Sequence, residues 1–248
     1  MRIEIRPTAI LFCFTIAGLS AAPASAAGCK PVSGSERVND LVAMIKDNVD
    51  CTLPWHALKM AAKDPAALAR LKTAYAEART KNPGKAAFID MQNAMVDAAA
   101  GRPEAAIAIY DANAAANPKD LSLNNTSCWI RAITGTDLQT ALKYCNAAIA
   151  SLASPPRKQP GYFVNRAKVE LLLGDNAAAL KDYDQAVRDF ADISKTTTAI
   201  GVFWLDALYG RGIARLRTGD RSGADDLRLV KTRYPVIADD YADLGITP

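Results

Sequence analysis

The sequence predicts an all-α fold, an α-solenoid of antiparallel helix pairs with an N-terminal helical segment and a C-terminal cap. The first supporting observation is a helical-hairpin pattern at Gly174, where a short polar turn separates two apolar stripes. The pattern recurs at Gly101, Thr136 and Gly219, so that the turns follow each other in steps of 35, 38 and 45 residues. Helical periodicity on either side of these repeats adds further helices.

The chain begins with the layout of a secretory signal peptide. Arg2 and Arg6 precede an apolar run over residues 9–19, and residues 24–26 read Ala-Ser-Ala, a small-x-small cleavage site. Such a run is too short to cross a bilayer as a helix. We therefore expect residues 1–26 to be removed and the protein to be exported. The periplasm is the favoured location, and the alternatives are secretion or an outer-membrane lipoprotein.

Charge argues against nucleic acid as a partner. The chain has 30 basic and 26 acidic side chains. Removal of residues 1–26 takes away two basic side chains and one acidic side chain. The remaining net charge of about +3 is too small to attract nucleic acid or an anionic membrane surface. No other long hydrophobic segment is present, so we expect no transmembrane span in the mature chain.

Residues 27–84 are predicted to form the N-terminal helical segment. One helix is indicated by an apolar stripe at Val38, Leu41, Val42, Ile45 and Val49. A second is predicted over residues 65–81, because Asp64-Pro65 is a typical helix start and Asn82-Pro83-Gly84 a typical stop.

The hairpin around Gly174 defines the repeat most clearly. Its first helix carries apolar or small residues at Val164, Ala167 and Leu171, and its second carries Ala179, Tyr183 and Ala186. Asp175 or Asn176 is suited to cap the second helix, and so short a turn makes the two helices antiparallel neighbours.

These repeats resemble the tetratricopeptide repeat family over roughly residues 87–234. That family packs a small residue of the first helix against an alanine of the second, with an aromatic residue four positions later and a closing proline. The matching small residues are Ala94, Ala167 and Gly212 in first helices, and Ala106, Ala141, Ala179 and Ala224 in second helices. The matching aromatics and prolines are Tyr110, Tyr183, Pro118 and Pro235. Trp129 and Arg228 depart from the pattern.

The repeat domain is predicted over residues 85–248. Its repeats lie near 87–120, 122–155, 160–193 and 205–238, followed by a short capping helix over 235–244. An insertion over 190–204 ends in an apolar run, which we expect to extend a first helix rather than to form a binding knob. The alternative to a solenoid is an irregular helical bundle with the same order of helix pairs.

Cysteine usage agrees with export. Cys13 leaves with the signal peptide, and four cysteines remain. Cys128 and Cys145 each lie about eight residues from the turn at Thr136, so they are level in an antiparallel hairpin. We therefore predict the disulfide Cys128–Cys145 and, by elimination, Cys29–Cys51. A redox pair is disfavoured because no Cys-x-x-Cys motif is present. The alternative for Cys29 is a lipid anchor, which would leave one thiol unpaired.

The resemblance implies a concave groove, lined by the first helices, that binds a protein or peptide. Carried over residue by residue, the predicted partner-binding positions are Met91, Gln92, Met95, Thr126, Ser127, Asn165, Lys168, Asp206, Tyr209 and Arg217. This mixed lining suits an extended segment or helix with hydrophobic anchors. Asn165 and Lys168 are the strongest candidates, because polar side chains there need water or a ligand. The alternative for apolar first-helix positions such as Leu171 and Ile213 is core between repeats.

Little in the sequence indicates an enzyme. His56 is the one histidine, and no zinc-protease, nucleophile-elbow, phosphate-loop or dinucleotide motif is present. We expect no catalytic residue, metal or cofactor. The expected function is an exported scaffold or adaptor for a protein or peptide partner. The alternatives are a lipidated structural component of a cell-envelope assembly and, less favoured, a hydrolase that uses only carboxylates such as Asp206.

Overall fold

The computed structural model describes residues 38–117, 120, 122–152, 158–193 and 201–248. The predicted signal peptide, its cleavage site, Cys29 and Pro118 lie outside these residues. The described part of the chain contains twelve α-helices and no strands. Their bounds are α1 Val38–Asp47, α2 Trp55–Ala62, α3 Pro65–Lys81, α4 Ala86–Ala99, α5 Glu104–Ala116, α6 Ser122–Thr134, α7 Leu138–Ala150, α8 Pro160–Leu173, α9 Asn176–Ile193, α10 Gly201–Arg217, α11 Gly223–Arg233 and α12 Val236–Asp243. The fold is all-α and solenoid-like, with helices packed in adjacent pairs, as predicted.

The chain divides into two compact units, one up to Tyr110 and one from Asp111 onward, so that α5 spans the division. In the first unit, α3 packs against α1 and α4, and α2 packs against α3 and α4. The largest side chains of its core are Leu41, Ile45, Leu71, Tyr75 and Ile89, all almost fully buried. Apolar burial of this kind is the main source of stability for such small helices.

The predicted helix over residues 65–81 is present as α3 with the predicted bounds. Asp64 caps it by accepting a hydrogen bond from Ala66 N at 2.9 Å, and Pro65 occupies its first position. The side chain of Asn82 donates to Ala78 O at 2.8 Å at the other end. Helix α2 was not predicted, because eight residues give too short a pattern for periodicity to show.

The second unit consists of the helix pairs α6–α7, α8–α9 and α10–α11, followed by α12. The first helices of the pairs lie side by side, α6 against α8 and α8 against α10. The second helix of each pair also contacts the first helix of the next, α7 against α8 and α9 against α10. We call the surface formed by α6, α8 and α10 the first-helix face.

The turn between α8 and α9 is built as the sequence predicts. Gly174 has a φ of 84°, a left-handed conformation that ends α8 and that a side chain would strain. Asp175 N then donates to Glu170 O at 2.9 Å. The Asp175 carboxylate caps α9 by accepting from Ala178 N at 3.0 Å. The chain therefore reverses within three residues.

Small residues allow the paired helices to approach, but in two pairs the contacting residue differs from the predicted one. In α11 the contact is made by Gly223, since a Cβ placed there would lie 2.3 Å from Gly212 O. The predicted residue, Ala224, is exposed instead. In α6, Cys128 is fully buried, whereas Trp129 is half-buried. Both registers differ by one residue from the predicted ones. For α11 the reason is the length of the turn between α10 and α11, because each residue of a turn changes the rotation of the following helix by about 100°.

The predicted disulfide between Cys128 and Cys145 is present and joins α6 to α7. It lies in a cluster with Ala132, Ala141 and Val169, all fully buried. Cys51 is also disulfide-bonded. Its predicted partner, Cys29, lies outside the described residues, so that pairing stays a prediction.

Candidate functional site

The predicted groove residues differ widely in exposure. Met91, Gln92 and Met95 on α4 are buried in the first unit, and the amide of Gln92 donates to Thr52 Oγ1 at 2.8 Å. Ser127 is fully buried in the second unit. Thr126 and Asn165 are half-buried, and Asn165 donates to Asn125 Oδ1 at 2.9 Å, linking α8 to α6. The buried members of the set offer almost no surface to a partner.

The four remaining predicted residues, Lys168, Asp206, Tyr209 and Arg217, share a feature that the sequence did not reveal. All of them contact residues 236–248, which we call the C-terminal segment. This segment comprises α12 and the five residues that follow it. Helix α12 packs against α10 of the first-helix face and also against α11.

Three side chains of the C-terminal segment are buried, one aromatic and two aliphatic. Ile237, Tyr241 and Ile246 are each no more than 3% exposed. Gly245, with a φ of 72°, ends α12 and turns the chain so that Ile246 N donates to Tyr241 O at 3.0 Å. Gly245 N donates to Ala242 O at 2.9 Å, which completes a Schellman motif. The motif brings Ile246 back to the side of the helix that carries Tyr241.

Tyr241 occupies a pocket formed by Lys168, Tyr183, Asp206 and Tyr209, which we call the tyrosine pocket. Its hydroxyl donates to the main-chain oxygen of Asp206 at 3.3 Å and lies 3.0 Å from the hydroxyl of Tyr183. The Tyr209 ring meets the Tyr241 ring edge-on, with centroids 5.1 Å apart. The phenol is thus recognised both through its ring and through its oxygen.

A charged pair forms one wall of the tyrosine pocket. Lys168 Nζ lies 3.2 Å from both carboxylate oxygens of Asp206 and 4.5 Å from the centroid of the Tyr241 ring. The lysine is only 7% exposed, so its charge is held by the carboxylate and the ring face together. The polar partner expected for Lys168 is therefore supplied by the chain itself.

The floor of the tyrosine pocket depends on a glycine. A Cβ at Gly210 would lie 2.1 Å from Cζ of Tyr183, so only glycine leaves room for this ring beneath α10. The position thereby lets Tyr183 reach from α9 through to the first-helix face.

Burial raises the pKa of the Tyr183 and Tyr241 phenols well above the ordinary value, and the nearby charge of Asp206 raises both further. Both phenols are therefore neutral at physiological pH. A neutral hydroxyl is both donor and acceptor, so Tyr183 can donate to Tyr241 while Tyr241 donates to Asp206 O.

Two further contacts fix the C-terminal segment beyond α12. Arg217 donates to Thr247 O from Nε at 3.0 Å and from Nη2 at 2.8 Å. Leu244 lies against the turn after α6, since a Cβ at Gly135 would be 3.4 Å from Leu244 Cδ2. The segment therefore reaches all three first helices or their ends.

Sequence reasoning identified Tyr183 as a packing residue and residues 235–244 as a cap, but not the contact between them. The only signal for it in the sequence is the spacing of Ile237 and Tyr241, which places both on one stripe of α12.

Within the described residues, no group of three or more His, Cys, Asp or Glu side chains could hold a metal ion. Nor does any helix in this part of the chain combine the length and apolar character needed to cross a membrane. In comparisons with known proteins, no family model, curated protein or solved structure matches the chain. The resemblance to tetratricopeptide repeats stays a prediction.

Proposed function

We propose that the protein is an exported helical-repeat scaffold of the tetratricopeptide type, which holds a segment of a partner protein on its first-helix face. The observation that carries this proposal is the C-terminal segment itself. A short helix and its following turn are seated on that face by an aromatic anchor and by a guanidinium bound to a main-chain oxygen. These are the means by which grooves of this kind bind peptides.

Polar side chains elsewhere on the face support the same proposal. Asn125 and Asn165 are half-buried, and their amides bond to each other between α6 and α8. Amide groups at such a position can exchange this bond for hydrogen bonds to the main chain of a bound segment.

Site-specific cross-linking in the native host tests the proposal. A photoreactive residue replaces Asn165 in the full chain, with Thr126 as a second position on the same face. The matched control is Arg228, whose side chain is 75% exposed on α11. We expect positions 126 and 165 to label the same segment of one partner protein and position 228 not to label it. No adduct, or the same adducts from all three positions, would refute a partner-binding face.

Export is tested separately by mass spectrometry of the mature N-terminus. Cleavage after Ala26 gives a free amino terminus at Ala27, in line with the proposal. An acylated N-terminal Cys29 would instead support the alternative of a lipidated envelope component.

A further inference from the structure

The tyrosine pocket is more selective than a general apolar groove. A phenylalanine in place of Tyr241 would fill the same volume beside Lys168 and Tyr209. It would, however, leave the hydroxyl of Tyr183 and the main-chain oxygen of Asp206 without their present partner. Buried polar groups without partners are costly, so the pocket discriminates in favour of a phenol.

The occupant of the pocket is held by few buried groups. Helix α12 has eight residues, of which Ile237 and Tyr241 are buried, and Asp239, Ala242 and Asp243 face solvent. A helix of this length has little stability of its own and depends on its docking contacts. The C-terminal segment thus owes its helical structure to its contacts with the rest of the unit, as a bound peptide does.

We propose that the tyrosine pocket is a recognition site for a tyrosine-bearing helical segment of a partner protein, and that the C-terminal segment is a ligand in cis which such a partner displaces. This inference rests on the proposed function and specifies the chemistry of the bound segment. It predicts that the pocket accepts the same chemistry from a separate molecule once the chain's own tyrosine is removed.

The test uses the full chain and a fluorescent synthetic peptide that corresponds to residues 236–248. In the wild-type chain the pocket is filled, so the peptide competes with the C-terminal segment. In a Tyr241→Ala chain the place of the phenol is vacant and the remaining segment, held by Arg217, competes less well, so fluorescence anisotropy should show a Kd lower by about tenfold or more. Equal affinity for the two chains would overturn the proposal.

Peptide variants test the chemistry of the pocket. On the Tyr241→Ala chain, a peptide with Tyr241→Phe should bind about threefold to tenfold more weakly than the native peptide, because one buried hydrogen-bonded hydroxyl is lost. A peptide with Tyr241→Ala should not bind measurably. If the native, Tyr241→Phe and Tyr241→Ala peptides bind with equal affinity, the pocket does not recognise tyrosine and the proposal is wrong.

A second measurement covers the case in which the Tyr241→Ala chain fails to fold, which circular dichroism would reveal. Hydrogen exchange in the wild-type chain follows the amides of Gly245 and Ile246, which donate to Ala242 O and Tyr241 O. Excess unlabelled native peptide should accelerate their exchange, whereas the Tyr241→Ala peptide should not. Unchanged protection at saturating peptide would also overturn the proposal.

The two proposals fail separately. If the peptide binds but position 165 gives no adduct in cells, the tyrosine pocket is still shown to bind tyrosine, and the scaffold function is refuted. Adducts at position 165 without a preference for tyrosine would keep the scaffold and refute this inference.

Discussion

Helix pairs α10–α11 and α6–α7 belong to the same unit but are held together by different chemistry. In α10–α11, Arg211 donates from Nε and Nη2 to Asp226, each at 2.8 Å, and Arg215 adds a bond to the same carboxylate at 3.1 Å. In α6–α7, Ser127 and Tyr144 stand at the positions that correspond to Arg211 and Asp226. One residue further along each helix, Cys128 and Cys145 are bonded.

In α8–α9, as in α10–α11, an arginine of the first helix is bonded to an aspartate of the second. We call this arrangement the charged clamp, and it occurs in two of the three pairs. Arg166 donates to Asp182 at 2.6 and 2.9 Å, again from a first helix to a second. The arginine of α6, Arg131, instead pairs with Asp111 of α5 at 2.6 Å. The comparison teaches that a disulfide takes over the joining role where the clamp between paired helices is missing.

The largest expected effect comes from removing the disulfide. In a Cys128→Ala, Cys145→Ala variant, we expect the free energy of unfolding to fall by about 3 kcal/mol, because the unfolded chain gains the entropy of a loop of 17 residues. Urea denaturation measures this loss of stability. The free energy of unfolding should also depend more steeply on urea concentration, because the unfolded state without the cross-link is more expanded. A lower midpoint with unchanged slope would indicate a packing defect instead.

Close backbone approach between α10 and α11 should contribute to stability. Gly223→Ala places a Cβ 2.3 Å from Gly212 O, so α10 and α11 must separate, and we expect a loss of about 2 kcal/mol. Gly161→Ala is the matched control, since nothing lies within 4 Å of its Cβ. It should be neutral or stabilising by about 0.5 kcal/mol. Equal thermal shifts for the two variants would contradict the close contact.

The clamp itself is tested by two neighbouring aspartates in the first turn of α11. Asp226→Asn removes the charged carboxylate that is hydrogen-bonded to both arginines and leaves them the longer contacts of 3.6 and 3.7 Å with Asp184. We expect a loss of about 1–2 kcal/mol. Asp225→Asn loses only an exposed pair with Arg228 and should change stability by less than about 0.5 kcal/mol. Both variants remove one negative charge from the first turn of α11. The difference between their free energies of unfolding, measured by chemical denaturation, therefore gives the contribution of the clamp. Identical losses would show that it contributes nothing.

The clamps of α8–α9 and α10–α11 differ in charge balance, and this predicts a pH dependence. Glu170 in α8 occupies the position of Arg215 in α10. Burial raises the pKa of Glu170 to about 7, and the charge of Asp182 adds to the rise, while Arg166 at 3.7 Å opposes it. Asp175 also raises this pKa and Lys181 lowers it.

Because this pKa is raised on folding, the protonated carboxyl favours the folded state below about pH 4.5, and that contribution is lost as pH rises through about 7. Glu170→Gln should therefore be neutral near pH 4 and stabilising by on the order of 1 kcal/mol at pH 8. Thermal unfolding across pH 4–8 measures this. A constant difference between variant and wild type would contradict the assignment to Glu170.

Much of the local architecture was predictable from residue patterns. The turn at Gly174, the cap at Asp175, the bounds of α3 and the level placement of Cys128 and Cys145 all follow from local signals. Capping, periodicity and hairpin geometry act within one or two turns of helix. Helix α2 was missed, because a helix of eight residues leaves almost no trace in periodicity. The registers of α6 and α11 were shifted by one residue, which periodicity does not resolve either.

The sequence by itself determined that the chain forms paired helices, where those pairs turn and that Cys128 bonds to Cys145. Only the tertiary structure decided what lies on the first-helix face. Tyr183 and Tyr241 are 58 residues apart, and their contact depends on Gly210, on the Lys168–Asp206 pair and on a turn at Gly245. Each of these residues has an ordinary local role, and a pocket arises only when packing brings three helices and the C-terminal segment together.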